Sequence, residues 1–104
     1  MQLNVGDIIY EIANDISDRL IIDRVTDNYA FAKKTKFTRE YDSANWLRTV
    51  PRESYPMYHY ELENPELKEQ YEKLVLINKL KKVDLRAIPN STLERVLEIL
   101  NEKL

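Results

Sequence analysis

Residues 20–32, Leu20-Ile21-Ile22-Asp23-Arg24-Val25-Thr26-Asp27-Asn28-Tyr29-Ala30-Phe31-Ala32, decide the fold class. Leu20 to Val25 and Tyr29 to Ala32 are rich in β-branched and aromatic side chains, which fit a pleated, half-buried surface. Asp27-Asn28 between them tolerates the left-handed backbone of a tight turn. The stretch predicts a β-hairpin whose second strand, Tyr29-Ala30-Phe31-Ala32, is apolar on both faces.

Toward the N-terminus, Ile8, Tyr10 and Ile12 alternate with Ile9, Glu11 and Ala13, a period of two that predicts another strand. Val5-Gly6-Asp7 before it reads as a turn, with Gly6 free to take positive φ. Asn14-Asp15 and Ser17-Asp18 read as breakers. Toward the C-terminus, Lys33 to Lys36 is a polar connection or a continuation. Phe37, Arg39 and Tyr41 then alternate with Lys36, Thr38 and Glu40. Asp42-Ser43-Ala44-Asn45 predicts a turn, and Trp46 to Val50 a short strand stopped by Pro51. Tyr58, Tyr60 and Leu62 alternate with His59 and Glu61. Five or six short strands at this spacing predict a small, strongly curved antiparallel β-barrel over residues 1–62.

Beyond residue 62 the period changes. Asn64 suits an N-cap and Pro65 the first helical position. Leu67, Tyr71, Leu74 and Ile77 follow at helical spacing, widened by Val75, Leu76 and Leu80. Asp84 to Pro89 is a connection. Ser91-Thr92-Leu93-Glu94 fits a capping box, and Leu93, Val96, Leu97 and Leu100 mark one face of a second helix. The fold class is therefore α+β: a barrel over 1–62 and a helical hairpin over 64–104, in one domain. The helices would cover an open barrel edge, or pair two chains into a homodimer through Leu76, Leu80, Leu97 and Leu104.

Composition excludes several chemistries. The single glycine, Gly6, rules out a phosphate-binding Gly-rich loop or a dinucleotide fingerprint. With no cysteine there is no disulfide framework, zinc ribbon or thiol nucleophile. Any Ser-His-Asp arrangement would have to use the one histidine, His59, which lies on the polar face of its strand. Glu66-Leu67-Lys68 has the Glu-x-Lys spacing of many magnesium nucleases. There, however, the pair sits on a strand, and at the start of a helix positions two apart diverge. A non-enzyme with no cofactor and no metal is expected. No basic-then-apolar leader opens the chain, and Leu74 to Ile77 is too short to span a membrane. The expectation is a soluble protein of the cytoplasm, without membrane partners.

The net charge of −2 conceals four blocks, −4 over residues 1–23, +4 over 24–52, −5 over 53–72 and +3 over 73–104. Most of the aromatics fall between Tyr29 and Tyr60, in and just beyond the basic block. Flat rings beside cations suit single-stranded nucleic acid or a nucleotide, since rings stack on bases and cations hold phosphates. The candidate basic aromatic face is Tyr29, Lys33, Lys34, Lys36, Arg39, Tyr41, Arg48, Arg52 and Tyr58, with Tyr55 also in the stretch. Phe31, Phe37 and Trp46 are expected in the core. Tyrosines also favour protein interfaces. The second candidate is an acidic face, Glu61, Glu63, Glu66 and Glu69, within a run from Glu53 to Glu72 that would imitate phosphates.

The order of Val5-Gly6-Asp7-Ile8-Ile9-Tyr10, Ile22-Asp23-Arg24-Val25-Thr26 with Tyr29-Ala30, and Lys36-Phe37-Thr38-Arg39-Glu40-Tyr41 carries a resemblance. So do Leu67-Lys68-Glu69 and Leu93-Glu94-Arg95-Val96-Leu97. The chain resembles small phage and prophage proteins with an N-terminal β-barrel and a C-terminal helical tail. The resemblance implies a mobile-element accessory protein inside a bacterial cell and transfers no functional residues. Together these readings predict a non-enzymatic accessory protein that binds a host macromolecule, as an inhibitor of a defence or regulatory complex. The alternative is a small barrel that binds nucleic acid or a nucleotide through its basic aromatic face.

Overall fold

A computed structural model of the chain describes residues 1–52 and 57–103, so Glu53, Tyr55 and Leu104 lie outside the described residues. Six strands, β1 (Ile8–Ile12), β2 (Ile16–Ile21), β3 (Arg24–Val25), β4 (Tyr29–Ala32), β5 (Thr35–Thr38) and β6 (His59–Leu62), precede helices α1 (Pro65–Lys81) and α2 (Asn90–Lys103). A 3₁₀ turn, Leu85–Ala87, lies between the helices. The chain divides into two compact units within α1, after Lys73.

In the first unit all strand pairs are antiparallel. They form two three-stranded sheets, β2-β1-β6 and β3-β4-β5. The class is α+β, as the periodicity implied, and the ladders among the described residues are two sheets rather than one closed barrel. Leu3, Ile9, Leu20, Ile22, Ala30, Ala32, Phe37 and Leu47 form the core, with Val25, Tyr41, Tyr60 and Leu62 packed against it. Each large apolar side chain buried there contributes about 1.5–3 kcal/mol. β1 is covered on both faces. Ile9 points into the core, while the ring of its neighbour Tyr10 lies 5.5 Å from that of Tyr71 on α1. The first turns of α1 thus belong to the strand unit, and Leu67 is buried there. Asn64 caps the helix as expected, its Oδ1 accepting from the Leu67 N–H at 2.8 Å.

Several local expectations need correction. Ser17-Asp18 is not a break. Both lie inside β2: Asp18 pairs with Glu11, and Ser17 is the extra residue of a bulge opposite Glu11 and Ile12, where its hydroxyl donates to Glu11. Leu20 to Val25 is divided into β2 and β3. β5 ends at Thr38, because residues 39–41 turn to pair with the N-terminus instead. Trp46 to Val50 is not a strand. Its pairing is split: the Leu47 N–H donates to Tyr60 O of β6, while the Thr38 N–H of β5 donates to Arg48 O. Only a single bridge, Phe37 to Thr49, results. Gly6 does take positive φ, 93°, in the turn before β1.

In the second unit α2 begins at Asn90, one residue before the expected cap. Pro89 O accepts from the Thr92 and Leu93 N–H groups, so Ser91 already lies inside the first turn. Leu76, Leu80, Leu85, Leu97, Ile99 and Leu100 are exposed. No helix among the described residues is long and apolar enough to cross a membrane.

Candidate functional site

The hairpin of β4 and β5 separates core from surface by alternation. Ala30, Ala32 and Phe37 are buried, which turns Tyr29, Phe31 and Lys36 to the outer face. Arg24 of β3 lies opposite Phe31, and Phe31 opposite Lys36. The register therefore builds a row across the sheet. The Arg24 guanidinium carbon sits 3.9 Å from the Phe31 centroid. Lys36 Nζ is 3.9 Å from the Tyr29 centroid and 5.9 Å from that of Phe31. Cations at these distances are held by the ring quadrupole at about 0.5–1 kcal/mol each on an exposed face. Arg48, opposite Thr38 across a backbone hydrogen bond, extends the surface. Among the described residues no carboxylate lies within ion-pair distance of Arg24, Lys36 or Arg48. Their charge is thus open to an anion.

Next to this row is a cleft of about 370 Å³, lined by Thr38, Glu40, Tyr41, Asp42, Trp46 and Arg48 among others. Trp46 is 56% exposed, contrary to its expected core position. It is nonetheless fixed. His59 stacks on the indole with centroids 5.1 Å apart and planes 7° from parallel, and His59 Nε2 lies 2.8 Å from Glu61 Oε2. Phe31 is the second correction, half-buried on the outer face rather than in the core. Phe37 is where it was expected, fully buried with Tyr60 edge-on at 5.1 Å.

The nine basic aromatic residues do not form one surface. Tyr29, Lys36 and Arg48 do share the outer face. Lys33 is held 2.9 Å from Asp18 in the β4–β5 turn, next to exposed Lys34. Its hydrogen bond holds the Asp18 carboxyl below the usual carboxylate range, partly opposed by burial. The Arg39 guanidinium is a structural clamp, donating to Leu3 O, Thr26 O and Asn4 Oδ1. Tyr41 packs on the core and also lines the cleft. Arg52 and Tyr58 are exposed on either side of residues 53–56. Arg24 and Phe31 were missed. The signal that would have found them is the parity of the hairpin: small Ala30 and Ala32 inward put Phe31 outward, opposite Arg24.

The acidic residues gather only in part. Glu61 and Glu66 line one hollow with Asp15, and Glu66 and Glu69 line the next along α1. Glu63 instead accepts the Tyr10 hydroxyl at 2.9 Å. Burial, then Glu63, pushes the Tyr10 phenol up to about 12. Among the described residues no group of three His, Cys, Asp or Glu side chains is placed to hold a metal ion. No known protein family, curated protein or solved structure matches this chain.

Proposed function

We propose that this is a non-enzymatic binding protein whose working surface is the outer face of β3-β4-β5, and that its partner is single-stranded nucleic acid. The observation that supports the reading most is the row Arg24, Phe31, Lys36, Tyr29, an alternation of cations and rings with no compensating carboxylate among the described residues. Bases stack on Phe31 and Tyr29 while Arg24, Lys36 and Arg48 move onto the phosphates. Stacking is tolerant of sequence because every base has a π-face. In the phage or prophage setting that the sequence resemblance implies, the strand would be met in the cytoplasm of a bacterial host. The strands are read as a small barrel that residues 44–50 close, since their hydrogen bonds reach β5 on one side and β6 on the other.

The test is fluorescence anisotropy of labelled oligothymidine across a salt series. Three phosphate contacts give log K falling with log salt at a slope of about −2. No binding at the lowest salt overturns the proposal.

A second reading, inhibition of a host defence or regulatory protein by imitation of phosphates, has Asp15, Glu61 and Glu66 around one hollow in its favour. Capture of a bacterial protein that survives charge reversal of Glu61, Glu66 and Glu69 would remove it. The exposed Leu76, Leu80, Leu97 and Leu100 support pairing of two chains through the second unit, which sedimentation reads directly as mass.

A further inference from the structure

The cleft beside the cation–aromatic row differs from it in chemistry. It combines two aromatic residues, Tyr41 and Trp46, with two carboxylates, Glu40 and Asp42, and one cation, Arg48. A phosphate is disfavoured there by Glu40 and Asp42. A flat group with hydrogen-bond donors on its edge is favoured. Trp46 is a platform prepared in advance: His59 stacks on the indole, Glu61 holds His59, and the residue as a whole is still 56% exposed. An exposed large ring held rigid offers stacking area at little entropic cost.

We propose that this cleft is a base-reading subsite that selects guanine, a specificity that rests on the nucleic-acid reading above. An ionised carboxylate only accepts hydrogen bonds. Guanine presents two adjacent donors, N1–H and the N2 amino group, which one carboxylate can accept together. Adenine and cytosine set a ring-nitrogen acceptor beside their single amino group, and that acceptor would face the second carboxylate oxygen. Thymine flanks its one N–H with two carbonyls. Glu40 or Asp42 thus discriminates for guanine, Trp46 stacks on it, and Arg48, shared with the row, holds the phosphate on its 5′ or 3′ side. The strand would leave the sheet face at Thr38 and Arg48 and enter the cleft with one unstacked base.

The experiment compares oligothymidine with the same strand carrying one central guanine or one central adenine, read by anisotropy and by the fluorescence of the chain's only tryptophan. Guanine is expected to tighten binding roughly tenfold over both controls, the size of one good bidentate contact, and to quench Trp46. In Glu40→Gln with Asp42→Asn, the guanine strand should fall back to the affinity of that variant's own oligothymidine control. Trp46→Leu should lose the guanine gain in the same way. If oligothymidine binds and guanine adds nothing, the subsite is overturned and the sheet-face reading stands. If guanine tightens binding equally in the double variant, the carboxylates are not the reader and the assignment fails. If no strand binds at low salt, both readings fall together.

Discussion

The sheet β2-β1-β6 and the sheet β3-β4-β5 are built from similar residues and use their aromatics in opposite ways. In the first, the Tyr10 hydroxyl donates to Glu63 at 2.9 Å and the Tyr60 hydroxyl to Glu11 at 3.0 Å. Both rings are locked between layers, and their polar ends are satisfied by carboxylates of the same unit. In the second, Tyr29 and Phe31 lie on the outer face and meet only cations in the row. The difference follows from what covers each sheet. The first turns of α1 lie over Tyr10, whereas the row stays in contact with water. An aromatic that has a carboxylate partner serves stability. An aromatic set among open cations is available to a ligand.

Four measurements break or sharpen this contrast. The largest effect is expected for Phe37→Ala, which removes a fully buried ring from the core. It should cost about 3–5 kcal/mol in denaturant unfolding. A much smaller loss would mean the two sheets do not share a core through this residue. Phe31→Ala, six positions earlier, should act on the other axis. Oligothymidine binding weakens by about 1–3 kcal/mol, while stability falls by about 1 kcal/mol, the order of the lost cation contact. Equal effects on both would erase the distinction between the faces.

Tyr10→Phe comes next, at about 1 kcal/mol for the lost hydrogen bond. It also has a pH signature. The folded phenol titrates near 12 against an ordinary value of 10.0. The neutral form is therefore favoured by folding, and its contribution is complete below pH 10. It is lost as pH rises from there through the folded value. The wild-type chain should lose stability across that alkaline window, and the Phe variant should lose less.

Asp18→Asn is the smallest. Asp18 and Lys33 are 45% and 63% exposed, so the pair is screened and worth less than about 1 kcal/mol. The folded Asp18 pKa is depressed, so its contribution is present above the ordinary carboxylate value and fades as pH falls through the folded one. Removing it should flatten the acid limb of the stability curve slightly.

Strand periodicity and the Asn64-Pro65 helix start were legible because they are local, depending on alternation and on one side chain reaching three residues along. The division of Trp46 to Val50 between β5 and β6 was not, since which partner each residue finds depends on where β6 returns, many positions later. The site shows the same limit. Composition picks out Tyr29, Lys36 and Arg48, and these three do share the outer face. Phe31 was placed inside because large apolar residues are usually buried, yet two alanines flank it and fill the inward positions instead. Arg39 looked like a phosphate ligand and is spent on carbonyls of Leu3 and Thr26, a use of charge that no local pattern announces.

The hairpin joining β4 to β5 interleaves core and outward-facing side chains one for one, Phe37 inward beside Lys36 outward, Ala30 inward beside Phe31 outward. Its turn, Lys33-Lys34, therefore sets more than a loop length. Gain or loss of one residue there shifts the register by one and exchanges the two faces of a strand. Phe37 would be delivered to water and Lys36 to the core. Two residues would restore the parity. Related chains should therefore vary this turn in even steps, and odd-length changes should be purged wherever the face is in use.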